Sequence, residues 1–238
     1  DPKELKLYLN EKEANELLNL KIRFAFGKIE PITNLIDTVI IEKEPVTIQE
    51  KVTIARKELN IFEISYGHEK EEVNLNLPHL STYDSAVHLD YHSIEREYFS
   101  VIHVGEGDGW DPYRPCMGSM ISYQGKLYLI DAGPNILKSL TALGISISEI
   151  EGVFQTHAHD DHFAGIPSLA RADHKIKFFA TPIVRASIMK KASALMGVSL
   201  QQFESYFDPI DLNTGVWNDI DGLEVMPIPS PHPIETTA

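Results

Sequence analysis

The chain has 238 residues, 43% of them hydrophobic and 24% charged, so it can bury a sizeable core and is too apolar to be disordered. Its formal net charge of −14, with no concentrated basic patch, argues against a long nucleic acid as partner, because phosphate backbones would be repelled. No apolar run is long enough to span a bilayer, the charged start DPKELKLYLNEKEAN lacks the apolar stretch of an export signal, and the single cysteine, Cys116, permits no internal disulfide. No membrane partner and a cytoplasmic location are therefore expected.

Residues 1–97 differ in texture from the rest and are expected to form an appended, mainly β region. DPKELKLYLNEKEANELLNLKIRF suggests a short helix followed by a strand, since Leu17, Leu18 and Leu20 follow a charged stretch. TVIIEKEPVTIQEKVTIA and LNIFEISY, rich in Val, Ile and Thr, read as two or three strands. GHEKEEVNLNLPHLSTYD then reads as a polar connection. His68, His79, His88 and His92 lie in or after it at irregular spacing, and surface or hydrogen-bonded roles suit them better than a metal site.

From Tyr98 onward (98–238), short apolar strands alternate with helical stretches, the pattern of a layered α/β domain. YFSVIHV is a strand ending in the glycine-rich turn Gly105 to Trp110, and SMISY and KLYLIDAG are strands joined by a Gln124-Gly125 hairpin turn. PNILKSLTALG is a helix, with Pro134 in its first turn and Gly144 at its C-terminal cap. EGVFQT is a buried strand, FAGIPSLARA is helical, IKFFAT is a strand, and a helix runs from Pro182 to Gly197. Ser199 is suited to cap a short helix in SLQQFESYF, and GLEVMPIP is the last strand. The densest basic cluster, Lys175 and Lys177 with Lys190 and Lys191, reads as solvated strand and helix faces.

The chemistry is concentrated in Thr156-His157-Ala158-His159-Asp160-Asp161-His162-Phe163-Ala164-Gly165, where three imidazoles and two carboxylates fall within six residues. Burying such a group is costly unless something binds it. Histidines at i and i+2 on an extended segment project to one side, where neutral imidazole nitrogens can share a metal. Asp161 and His162, where the loop turns into a helix, can face a second ion, and two-metal sites hold their ions ~3.5–4 Å apart.

This segment resembles the HxHxDH signature of the metallo-β-lactamase superfamily. Asp131, which ends the strand LYLIDAG, is similar to that family's first motif, and His232, after GLEVMPIP, to its third. The resemblance runs from about Tyr98 to the end of the chain. It implies an α/β fold, the αβ/βα sandwich, with residues 1–97 appended. It also implies that His157, His159 and His232 hold one metal and Asp161 and His162 a second, with Asp131 supporting the loop through hydrogen bonds. Taken alone, Asp131 has a weaker alternative reading as a turn aspartate before Gly133, and His232 as a turn histidine between Pro231 and Pro233. The family's bridging aspartate and last histidine lie beyond the third motif. The chain ends six residues after His232. The sandwich is therefore expected to be C-terminally incomplete, and the second metal site weak or empty.

Two divalent metal ions are the implied cofactors: zinc first, with iron or manganese as alternatives, because imidazole accepts all three. Fold alone does not select a chemistry. His159 stands where flavodi-iron relatives usually carry glutamate, which favours zinc-dependent hydrolysis. The turn His103-Val104-Gly105-Glu106-Gly107-Asp108-Gly109 is similar to that of the phosphodiesterase and tRNA 3′-processing branch. Its glycines either admit a ligand close to the backbone or simply form a tight turn. The expected function is hydrolysis of a phosphodiester or other small ester. Asp161 would be catalytic as well as a ligand, orienting a water whose pKa the ions lower to ~7. The competing reading is a non-enzymatic di-iron protein that binds oxygen as a chemotaxis-type sensor. A small-molecule substrate, or oxygen, is the expected partner, and either reading is compatible with a homo-oligomer or a signalling partner.

Overall fold

In the computed structural model, which describes residues 9–78 and 80–238, the first element is helix α1 (Glu11–Phe26). Asn10 and Glu13 begin it with a capping box: each side chain accepts from the other's backbone amide, at 3.0 and 3.1 Å. Gly27, at φ 72°, ends it. The strand expected behind a short helix is not there. LNLKIRF continues the helix because nothing interrupts it before Gly27, and Ala14 and Ile22 form its buried side. The part of that expectation within residues 1–8 lies outside the described residues.

Strands β1 (Val46–Gln49), β2 (Val52–Glu58), β3 (Ile61–Tyr66) and β4 (Glu69–Asn74) form an antiparallel sheet in chain order. TVII, at 38–41, is not a strand. Conversely, β4 lies inside the segment read as a polar connection. It is an edge strand, where charged side chains are tolerated because only the backbone needs a partner. Lys70 meets Glu63 of β3 at 2.9 Å.

The second sheet has the order β10-β9-β8-β7-β6-β5. Its strands are β5 (Phe99–Gly105), β6 (Gly118–Tyr123), β7 (Lys126–Ile130), β8 (Ile150–Phe154), β9 (Ile176–Ala180) and β10 (Phe207–Asp211). The first three are antiparallel, with Gln124 (φ 49°) and Gly125 (φ 80°) forming the expected tight turn. The strands from β7 to β10 run parallel and so require helical crossovers. These are α2 (Ile136–Ala142), then α3 (Asp160–Phe163) with α4 (Ile166–Leu169), then α5 (Pro182–Met196) with α6 (Leu200–Glu204). Gly144 and Gly197 take the left-handed conformation expected at the ends of α2 and α5, and Ser199 caps α6 through the amide of Gln202. β10 was not expected. Its sequence, FDPID, carries a proline and two aspartates, which only an edge strand accommodates. β11 (Asn218–Ile220) was missed as well, and it pairs with β12 (Leu223–Val225).

Side-chain alternation divides the second sheet into two faces. Met120, Leu127, Leu129, Val153 and Phe178 pack against Ile136, Leu140, Ile166 and Ile188 of the helices. Tyr128, Phe154 and Phe179 point the other way and meet Leu212 and Ile220, with the Phe154 and Phe179 rings stacked at 4.6 Å. The chain thus has the α/β fold of the metallo-β-lactamase core, preceded by a region that holds α1 and the four-stranded antiparallel sheet. Among the described residues, no helix is long and apolar enough to cross a membrane.

Candidate metal centre

Parallel strands bring their C-terminal ends to one edge of a sheet, and ligands bind beyond that edge. Here β7 and β8 set Asp131 beside Thr156, and the Asp131 amide donates to the Phe154 carbonyl at 2.8 Å. Asp131 adopts φ 62°, a left-handed conformation that disfavours most residues with a Cβ but that aspartate tolerates. Its buried carboxylate accepts from the Thr156 amide at 2.8 Å, from Thr156 Oγ1 at 2.7 Å and from His162 Nδ1 at 2.7 Å. Because a carboxylate only accepts, Thr156 spends its proton on Asp131 and can itself accept from His157 Nδ1, 2.9 Å away. Both His157 and His162 therefore carry a proton on Nδ1 and turn Nε2 toward the site.

Four imidazoles converge there. The His157 ring lies 4.8 Å from that of His159, 4.0 Å from His162 and 4.8 Å from His232, and the His159 and His232 rings are 4.7 Å apart. His232 Nε2 is 2.9 Å from His159 Nδ1, and Asp161 Oδ2 is 3.3 Å from His162 Nε2. One donor atom from each of His157, His159 and His232 falls within a 4.8 Å group, as does one from each of Asp131, His157 and His162. Of the residues named from the sequence, His157, His159, His162 and His232 thus lie together with Asp131, whereas Asp161 meets the cluster through His162 and falls in neither group. Asp160 turns outward to Lys191 at 2.6 Å. His68, His88 and His92 are exposed and stand outside these groups, and His79 lies outside the described residues.

At three of the four rings the electrostatics favour the neutral form. Burial, reinforced by the surrounding imidazoles and Lys191, pushes His157 down to about 3. Burial likewise lowers His159 and His232. At His162 burial acts in the same direction, but the hydrogen bond and charge of Asp131, with Asp161 beyond, outweigh it and raise the ring. His157 Nε2 is buried without a hydrogen-bond partner. Leaving such an atom unpaired costs ~1–3 kcal/mol, a cost that a cation accepting its lone pair removes. Imidazoles with an adjacent carboxylate fit zinc, iron or manganese.

Close packing holds the loop in place. A Cβ at Gly133 would strike the Asp161 carbonyl, and one at Gly165 would strike the Gly133 carbonyl. Gly109, at φ 84°, would place a Cβ 2.6 Å from that of Asp161. The glycine-rich turn therefore seats directly on the metal loop, a role that neither sequence reading included. Lys191 is exposed, as expected for a solvated helix face, yet its ammonium also donates to the Ala158 carbonyl at 2.8 Å and sits 4.6 Å from the Phe163 ring, tying α5 to the loop. Lys177 is held between Glu151 at 2.8 Å and Asp221 at 2.9 Å. Thr156 links Asp131 to His157, a role that its place directly before the first histidine of the motif signals in the sequence. Lys21 of α1, which reaches the loop carrying His232, left no signal in the sequence.

Residues 99–237 match the family model described as Anti-Pycsar protein Apyc1. The chain is 32% identical over 129 residues to the Anti-Pycsar protein Apyc1 of Paenibacillus xerothermodurans, covering 48% of this chain and 50% of that protein. It is 37% identical over 57 residues to a ribonuclease Z of Nanoarchaeum equitans, covering 24% of this chain and 18% of that protein. The chain thus spans half or less of the length of these curated relatives. Among solved structures, a diphosphatase of the PhnP family superposes with a TM-score of 0.47 at 18% identity, covering 58% of this chain and 59% of the other. The short form of human tRNase Z superposes with a TM-score of 0.44 at 20% identity, covering 58% and 62%. With a polar network behind the histidine cluster and a family model matched across 99–237, the chain belongs to the Anti-Pycsar protein Apyc1 family.

Proposed function

We propose that the chain carries the metal centre of a divalent-metal-dependent hydrolase that acts on a small phosphodiester. The observation that carries this reading is the convergence of four imidazoles around the unpartnered His157 Nε2, with Asp161 beside His162. His157, His159 and His232 would hold one ion, and Asp161 with His162 a second. Bound there, the ions supply Lewis acidity toward a phosphoryl group and a nucleophile available at neutral pH. The chain's own contribution is orientation. The series Asp131, Thr156, His157 locks one ring, and Asp131 locks His162 directly. Asp161, an acceptor-only carboxylate, orients the attacking water by taking its hydrogen bond. The relatives named ribonuclease Z support phosphodiester chemistry, and the charge of −14 supports a small substrate over a long polyanion. His159 in place of glutamate supports hydrolysis over the di-iron alternative.

The test is p-nitrophenolate release from bis(p-nitrophenyl) phosphate with zinc or manganese supplied, alongside elemental analysis. Metal-dependent turnover that falls at least ~100-fold in His157→Ala is expected. Bound iron with an oxygen-sensitive visible band and no hydrolysis would overturn the reading in favour of an oxygen-binding protein.

A further inference from the structure

The histidine of the third motif sits on a loop poor in backbone hydrogen-bond donors of its own. Pro227, Pro229, Pro231 and Pro233 occupy every second position, and proline has no amide hydrogen, so carbonyls here find few donors nearby. Backbone ties fix the base of the loop: Ile228 and Ala238 exchange amide-to-carbonyl bonds at 3.0 and 2.8 Å, and the Ser230 amide donates to the Thr236 carbonyl and the Thr237 amide to the Thr156 carbonyl, each at 3.0 Å. At the tip Thr236 Oγ1 donates to the Ile234 carbonyl at 3.0 Å, and a further donor comes from the other end of the chain. Lys21 Nζ of α1 donates to the carbonyl of His232 at 3.2 Å and to that of Ile234, and it pairs with Glu235 at 3.7 Å. The Lys21 side chain is only 11% exposed, so this ion pair and its hydrogen bonds are little screened by solvent. Around it, Leu17, Leu20 and Phe24 of α1 face Pro229 and Pro231 across a groove of about 90 Å³.

We propose that Lys21 is a positioning residue for His232: the N-terminal helix reaches across the fold and holds the third-motif loop at the geometry in which the His232 ring joins His157 and His159. A primary ammonium suits the task because it offers three donors to carbonyls that converge on it. This gives a function to a part of the chain that lies outside the residues matched by the family model. The proposal rests on His232 being a metal ligand.

The experiment is a cobalt(II) titration of the whole chain followed by visible absorption, for wild type, Lys21→Met, Lys21→Arg, His232→Ala and the double variant Lys21→Met/His232→Ala. Lys21→Met should weaken cobalt binding about 10-fold, as loss of an outer-shell support does, and Lys21→Arg should recover most of that loss. In the His232→Ala background, Lys21→Met should change affinity less than about 2-fold, because the two residues act through one interaction. Should Lys21→Met fail to fold by circular dichroism, Lys21→Gln, which keeps a donor without the charge, takes its place with the same expected pattern. If His232→Ala weakens cobalt binding but the Lys21 variant does not, or does so equally in both backgrounds, the positioning role is wrong and the metal-site assignment stands. If His232→Ala leaves affinity unchanged, the assignment of His232 fails, and the role of Lys21 fails with it.

Discussion

At the residue scale, the most consequential side chain is Asp131, which binds no solvent-facing group yet sets the protonation pattern of two imidazoles. Its replacement by alanine leaves the Thr156 amide and hydroxyl without their acceptor and frees the His162 ring to rotate. We expect Asp131→Ala to cost ~1–3 kcal/mol in urea unfolding and to lower zinc affinity ~10–100-fold by competition titration. A loss of stability with unaltered zinc affinity would make the carboxylate purely structural. Thr156→Val keeps the backbone contact to Asp131 while removing the acceptor for His157 Nδ1 and one donor to Asp131. Its zinc affinity should fall, with a stability loss of ~1–3 kcal/mol for the donor left unpaired. The histidine spacing was legible because it is local. The role of Thr156 was not, since it exists only once β7 lies beside β8.

At the scale of elements, glycine separates steric from conformational effects. Gly165 packs against the Gly133 carbonyl, whereas Gly197 ends α5 at φ 65° in open space. Gly197→Ala should cost ~1 kcal/mol for the left-handed backbone, and Gly165→Ala distinctly more because backbone must move. Equal midpoints in chemical denaturation would mean that the metal loop relaxes around a methyl group. A second case is Asp221, at the tip of β11–β12, which binds Lys126 of β7 at 2.7 Å and Lys177 of β9 at 2.9 Å. Hydrogen bonds from these two lysines lower its carboxyl from 3.8 to about 2. A group depressed in the folded state stabilises above its unfolded pKa, and that contribution disappears as pH falls through the folded value. Asp221→Asn, which tolerates the φ of 52° there, should therefore flatten the stability profile between about pH 4 and 2 and leave its shape above pH 5 unchanged. Elements were legible where a cap, a turn glycine or apolar continuity marks them, as in α5 and β9. They were misread where the signal is compositional: β4 is charged yet paired, and LNLKIRF is apolar yet helical.

For the whole molecule, metal is expected to contribute to stability as well as to chemistry. Neutral imidazoles packed ring against ring gain from a shared cation, and a ligand bound only by the folded state raises Tm by mass action. Chelation should lower Tm, and zinc at about 100 times its Kd should restore ~2.7 kcal/mol. No change of Tm on chelation would show that the cluster binds no metal in the folded chain. What the sequence determined by itself was local: the alternation of the sheet, the capping glycines and the order of residues in the histidine motif, all set by neighbours within a few positions. What only the tertiary structure decided was which distant groups meet, His232 with His159 across 73 residues and Lys21 with His232 across 211. The physical reason is that such contacts depend on strand order and crossover packing, which bring together positions whose separation along the chain carries no periodic signal.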